Sequence, residues 1–186
     1  MHPKLSKGEN DMLKKNIKII KGTLRPEKEK LAKVVYHGGF YYACDDFRMV
    51  RFEELPDELP LFEDNEPRFN VEFGVLRAAE QTYREFVVPY PIEVLKKWRT
   101  WLRKNKRKEP YRLGISGKTS YGSEHWFGIN INFLIDAIET TGSYVIKVPE
   151  RYTAMVMEGN GFTWIIMPVD VKEGKDKGET IITDIV

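Results

Sequence analysis

The chain has 186 residues, of which 41% are hydrophobic and 31% charged, and its formal net charge is +2. This length suits one sizeable domain or two small ones sharing a core, and the apolar content excludes wholesale disorder. Cys44 is the only cysteine, which excludes an intrachain disulfide and fits a reducing, intracellular setting.

The N-terminal MHPKLSKGENDMLKKN lacks the apolar core of a secretory signal. No apolar run approaches the ~20 residues needed to span a bilayer, so a cytoplasmic protein without membrane contact is expected. Residues 1–15 are polar and lysine-rich and read as a flexible basic arm. From Ile17 the pattern is strand-like, in IKIIKGTLR and then KVVYHGGFYYACDDFRMVRF. Gly38-Gly39 between β-branched and aromatic runs predicts a hairpin. Glu53 to Pro67 carries three prolines and seven acidic residues, which predicts an exposed acidic loop (53–67) rather than a central strand. RFNVEFGVLRAAEQTYREFVV reads as strand, short helix, strand.

Pro89 and Pro91 precede the clearest helical pattern, IEVLKKWRTWLRKNKRK. Val94, Leu95, Trp98, Trp101 and Leu102 form one apolar stripe, and Pro91 suits the first turn, where its missing N–H has no partner to lose. Lys96, Arg99, Arg103 and Arg107 project from the opposite side, flanked by Lys106. After strands at YRLGIS and HWFGIN, NFLIDAIET predicts a second helix burying Phe133, Leu134, Ala137 and Ile138. Asn130 or Asn132 is its N-cap and Gly142 its stop. YVIKV, YTAMVME and FTWIIMPV are further strands, the last two joined at Asn160-Gly161. From about Glu85 the order suggests a duplicated β-α-β-β-like unit, in an α+β domain at 16–171 with helices on one face of antiparallel sheets. Residues 172–186 are a polar C-terminal tail.

Enzymatic signatures are missing. GISGKTSYGS has Gly117-Lys118-Thr119, but a phosphate loop needs a glycine five residues earlier, where Arg112 stands; a turn between strands fits better. His2, His37 and His125 lack metal-ligand spacing, so no metal is expected. Asp45-Asp46 reads as a turn or local salt bridge rather than a catalytic pair. A third reading, a small-molecule enzyme using Asp45, Asp46 and His125, has little to carry it. No nucleophile signature is present, and no cofactor is implied.

Two constellations remain. The first is the cationic helix, where Lys96, Lys97, Arg99, Arg103, Lys104, Lys106, Arg107 and Lys108 could neutralise phosphates in sequence-independent, salt-sensitive binding. The alternative is a solvated helix face whose last cations complement the helix dipole. The second is GININFLIDAIETTGSYVIKVPERYTAMVMEGNGFTWIIMPV, which resembles the closing segment of the bacterial DNA sliding clamp, the processivity subunit of the replicative polymerase. The parallels are Phe133-Leu134-Ile135-Asp136-Ala137 with that family's Leu-Leu-Asp-Ala helix, and Ile165-Ile166-Met167-Pro168 with its final Met-Pro strand. Ala43 to Met49 is similar to its Ala-Thr-Asp-Gly-His-Arg-Leu segment, and FVVPYPIEVLKKW to the strand, proline and helix that follow. Together these cover roughly half of the chain.

The resemblance implies a DNA clamp-like fold of paired β-α-β-β-β units, helices lining a hole and sheets outside. It implies a non-enzymatic replication factor that binds duplex DNA non-specifically through Lys96, Lys97, Arg99, Arg103, Lys106 and Arg107. It also implies a peptide groove for replication or repair proteins bearing short apolar motifs, at Cys44, Asp46, Phe47, Arg48, Met49, Ile165, Met167, Pro168 and Val169. Methionine and proline offer the adaptable apolar surface that varied motifs require. On residue chemistry alone, Met167 and Val169 could equally close the core. A homo-oligomer, a mobile-element or viral origin, and a monomeric clamp-fold module that binds replication proteins without encircling DNA all fit these features. The pattern departs from the family at Asp46 (glycine), Phe47 (histidine) and Asp170 (arginine).

Overall fold

The structure, a computed structural model, describes residues 7–72, 83–104, 112–118, 124–149 and 154–170. It opens with helix α1, Lys7–Lys21. The sequence pattern predicts an arm to residue 15 and a strand from Ile17; the structure has one helix across both. The isoleucines of IKII invite a strand reading, yet Asn16, Ile17 and Ile20 are buried at i, i+1 and i+4, the spacing of a helix stripe. Tertiary burial overrides β-branched propensity here. The helix stops at Gly22, and the Thr23 hydroxyl donates to Ile19 O at 3.2 Å.

After a 3₁₀ turn at Glu29–Leu31 come β1 (Val35–His37), β2 (Phe40–Cys44) and β3 (Arg48–Phe52). β4 (Tyr83–Val87) leads to α2 (Ile92–Lys104), and β5 (Arg112–Lys118) pairs in a hairpin with β6 (Glu124–Asn130). Gly117 and Lys118 lie in this strand pairing rather than in a turn, and Thr119 lies outside the described residues. α3 (Ile131–Thr141) is followed by β7 (Val145–Pro149), β8 (Met155–Gly159), β9 (Phe162–Ile166) and β10 (Val169–Asp170). One sheet has seven strands in the order β1-β2-β3-β9-β8-β7-β4, the other three in the order β10-β6-β5.

From β4 the order follows the expected repeat, β4-α2-β5 and then β6-α3-β7-β8-β9. The large sheet also joins two similar halves, α1-β1-β2-β3 and α3-β7-β8-β9, each a helix followed by a three-stranded meander. They meet where β3 pairs antiparallel with β9, centred on Val50 opposite Trp164. Both halves turn through a two-residue hairpin with positive φ at each central residue: Gly38 (57°) and Gly39 (87°), then Asn160 (47°) and Gly161 (76°). This backbone matches the twist of the strands it joins.

Helices α1, α2 and α3 cover one face of the large sheet. α1 and α2 each touch α3, which packs on β8 and β9. Ile20, Leu95, Leu134, Ile135, Met157 and Trp164 are among the side chains fully enclosed between the layers. Alternate residues of the same strands, including Tyr42, Met49 and Ile165, face the other way and cluster with Phe62, Phe69 and Val71. The acidic segment after β3 is therefore a loop, as its prolines require, but one anchored to the protein. Val34 N–H donates to Pro60 O, and Phe62 N–H donates back to Val34 O.

Local chemistry fixes the helix ends. The Asn130 side chain caps α3 by accepting from Asn132 N–H, and Gly142 ends it in the left-handed region. On α2 the apolar stripe is looser than its spacing predicts. Leu95 is buried and Trp98 packs against Tyr90 at 5.4 Å, but Trp101 remains 48% exposed. No helix among the described residues is long and apolar enough to cross a membrane.

Candidate functional site

The helical layer gathers the cations. On α2, Lys97, Arg103 and Lys104 are exposed, while Lys96 and Arg99 are half-buried toward α3. Lys106 and Arg107 lie outside the described residues. α1 adds exposed Lys14, Lys15, Lys18 and Lys21. Reading this segment as an arm hides them; the helical spacing of Ile17 and Ile20 was the available signal. Between these flanks, α3 contributes Asp136 and Glu139 and neither lysine nor arginine. Glu139 is ion-paired with Lys15 (3.1 Å) and with Lys96. Burial pushes the Glu139 carboxyl upward, but its bonds to Lys96 and Lys15 outweigh that and hold it below the usual glutamate range. Arg103 reaches Asn132 Oδ1 at 3.4 Å.

At one end of the sheet, the turn from β2 to β3 sits beside the end of β9. Asp45 is buried and organises the turn: its Oδ1 accepts from the backbone N–H groups of Phe47 and Arg48, both at 2.8 Å. Its Oδ2 accepts from Arg48 Nε at 3.0 Å. This turn role uses both carboxylate oxygens. Asp46 is exposed and ion-paired with Lys28.

The nine residues assigned to a peptide groove do not share one environment. Phe47 (56% exposed) and Met167 (40%) form the open surface, with Pro168 half-buried beside them. Met49 and Ile165 are buried on the sheet face opposite the helices, where Cys44 packs against them. Burial, reinforced by the charges of Asp45 and Asp46, pushes the Cys44 thiol up to about 12, so it stays protonated. Val169 begins β10, paired with Gly128 of the small sheet.

Arg48 points toward the helices and is buried. Its Nη1 donates to Asp136 Oδ2 (2.5 Å) and its Nη2 to Gly22 O (3.1 Å). The guanidinium lies over the rings of Phe133 (4.3 Å) and Trp164 (5.4 Å). One side chain thus joins the turn, the end of α1, and α3. Burial raises the Asp136 carboxyl above its ordinary range despite the opposing charge and hydrogen bond of Arg48. Spacing could not reveal this pairing, because Arg48 and Asp136 are 88 residues apart.

A sheet built from two helix-plus-meander halves, backed by helices on one face, defines the DNA sliding-clamp fold, and this chain has it. It matches the Helicobacter pylori beta clamp bound to a DNA ligase peptide at a TM-score of 0.56 with 9% identity, over 85% of this chain and 63% of that one. DNA polymerase III beta subunit from Thermotoga maritima matches at 0.54 with 13% identity, over 87% and 64%. The Caulobacter crescentus beta sliding clamp matches at 0.53 with 11% identity, over 91% and 68%. The chain thus spans under two thirds of the first two clamps. No protein-family model matches the sequence, and no curated protein matches it by sequence.

Proposed function

We propose that this protein is a non-enzymatic, replication-associated clamp-fold factor that lays its helical layer against duplex DNA and receives short apolar peptides at the Phe47–Met167 surface. The observation that carries the DNA part is the flanking of α3 by lysines and arginines from both α1 and α2 in the helical layer. Such cations neutralise phosphates without reading bases, which gives weak and mobile contact. The peptide part rests on exposed Phe47 and Met167 at positions similar to a clamp's groove, and on a clamp of this fold having been solved with a DNA ligase peptide. Because α1 begins at Lys7, the proposed clamp-fold unit starts before residue 16.

Duplex binding measured against salt concentration tests the first part. Alanine at Lys97, Arg103 and Lys104, the exposed cations of α2, should shallow the slope of log K against log salt by roughly 0.9 for each phosphate no longer neutralised. A slope left untouched removes DNA from the reading.

A second reading is a monomeric module that binds replication proteins without encircling DNA. It is favoured by the acidic character of α3, the central helix of the layer. Solution mass with and without DNA separates the two: a self-assembled ring requires an oligomer, and a stable monomer selects the module.

A further inference from the structure

Glu139 occupies a peculiar position in the basic layer. Its carboxylate is only 11% exposed, on the helix between α1 and α2. A single oxygen, Oε1, takes the ammonium groups of both Lys15 and Lys96, one from each neighbour. The two lysine side chains are themselves 48% and 40% exposed, so each is open to solvent while tied inward. We propose that Glu139 sets the strength of duplex contact by withholding Lys15 and Lys96 from DNA phosphates. This rests on the DNA reading above and adds to it a residue that limits affinity.

The physical argument is competition for the same cations. A phosphate approaching α1 or α2 must draw these ammonium groups from a partly buried carboxylate, leaving that anion without its partners. Leaving a desolvated charge unpaired costs more than breaking an exposed pair, whose worth is small. The other cations of the layer behave differently. Lys14, Lys18, Lys97 and Lys104 are exposed, and none of them is ion-paired with a carboxylate among the described residues. The described lysines of the layer therefore fall into two classes: freely presented ones and two held in reserve. Removing the holding charge while keeping its shape should transfer the reserve to the DNA.

The test compares wild type with Glu139→Gln and Glu93→Gln, using a short fluorescent duplex of mixed sequence titrated at several salt concentrations. Both variants remove one negative charge from the helical layer, but Glu93, in the first turn of α2, is ion-paired with neither lysine among the described residues. Glu139→Gln should tighten binding roughly three- to tenfold at low salt, and steepen the salt slope by up to about 0.9 for each lysine released. Glu93→Gln should show neither the steepening nor an equal gain.

Equal behaviour of the two variants would reduce the effect to net charge and overturn the proposal while leaving the DNA reading intact. A wild type and a Glu139→Gln variant that both fail to bind duplex would overturn the two together. Should Glu139→Gln not fold, Glu139→Asp keeps the charge but withdraws it by one methylene. Tighter, more salt-sensitive binding by that variant supports the assignment, and unchanged binding refutes it.

Discussion

The backbone N–H of Met167 donates to the carbonyl of Phe47 at 2.8 Å, so the two segments with clamp-groove parallels are hydrogen-bonded neighbours. Their side chains are exposed, whereas the adjoining ladder residues Met49 and Ile165 are buried. Stability and recognition are thus separable at this spot. Met167→Glu should change stability by about 0.5 kcal/mol or less while abolishing affinity for an apolar client-type peptide. Ile165→Ala should cost about 2–4 kcal/mol through reduced burial and a cavity. Paired denaturation and peptide-binding curves check both; a strong destabilisation by Met167→Glu would place that side chain in the core.

Arg48 is a folding residue on this geometry. Arg48→Met would strip Asp45 and Asp136 of their shared cation and Gly22 O of its donor. Removing one partner of a buried pair costs about 3–5 kcal/mol, and urea unfolding should read a loss of that order. Arg48→Lys should recover little, because one ammonium cannot reproduce the planar fork that reaches three elements.

Gly159 is required by a close approach rather than by an unusual backbone angle. A Cβ there would lie 2.3 Å from the carbonyl oxygen of Thr141, at the end of α3. Gly159→Ala must push the helix end off β8, with a cost on the order of 1–3 kcal/mol or more. Thermal melting should show it. At Gly39, where nothing lies within 4 Å of an added Cβ, alanine meets only the strain of positive φ, about 1 kcal/mol.

The two acids of α3 should give opposite pH signatures. The folded Glu139 carboxyl lies below its ordinary range, so its contribution is present at neutral pH and is lost as pH falls through the folded value. Glu139→Gln should flatten the acid limb of the stability profile. Asp136 is raised, so the native state favours its protonated form and its contribution fades as pH rises through the folded value. Stability of wild type relative to Asp136→Asn should therefore decline as pH rises through and above the ordinary carboxylate range. Denaturation of the three proteins across this range decides the signs.

Local signals made much of the fold legible. Gly38-Gly39 and Asn160-Gly161 mark two hairpins, and Pro91 and Asn130 sit where α2 and α3 begin. The α+β clamp-like class follows from these elements with the segment resemblance. Helix α1 is obscured because isoleucine-rich IKII carries β propensity, while its true stripe needs a partner layer to become visible. The candidate site is only partly readable for a related reason. Sequence brings the Phe47 and Met167 segments together through family likeness, but the inward turn of Arg48 depends on which sheet face each strand residue takes. Glu139 shows the same limit: its two lysines come from helices on either side, and no spacing encodes that convergence.

The corner at Met167-Pro168 has a mechanical consequence. Strand β9 belongs to the large sheet and β10 to the small one, with only these two residues between them. A chain extends at most ~3.3–3.6 Å per residue, and proline removes one rotatable angle and one donor. The connection is thus a taut, stiffened splice, without slack for the small sheet to drift. A ligand resting on Met167 would press on the joint itself and register the relative pose of both sheets.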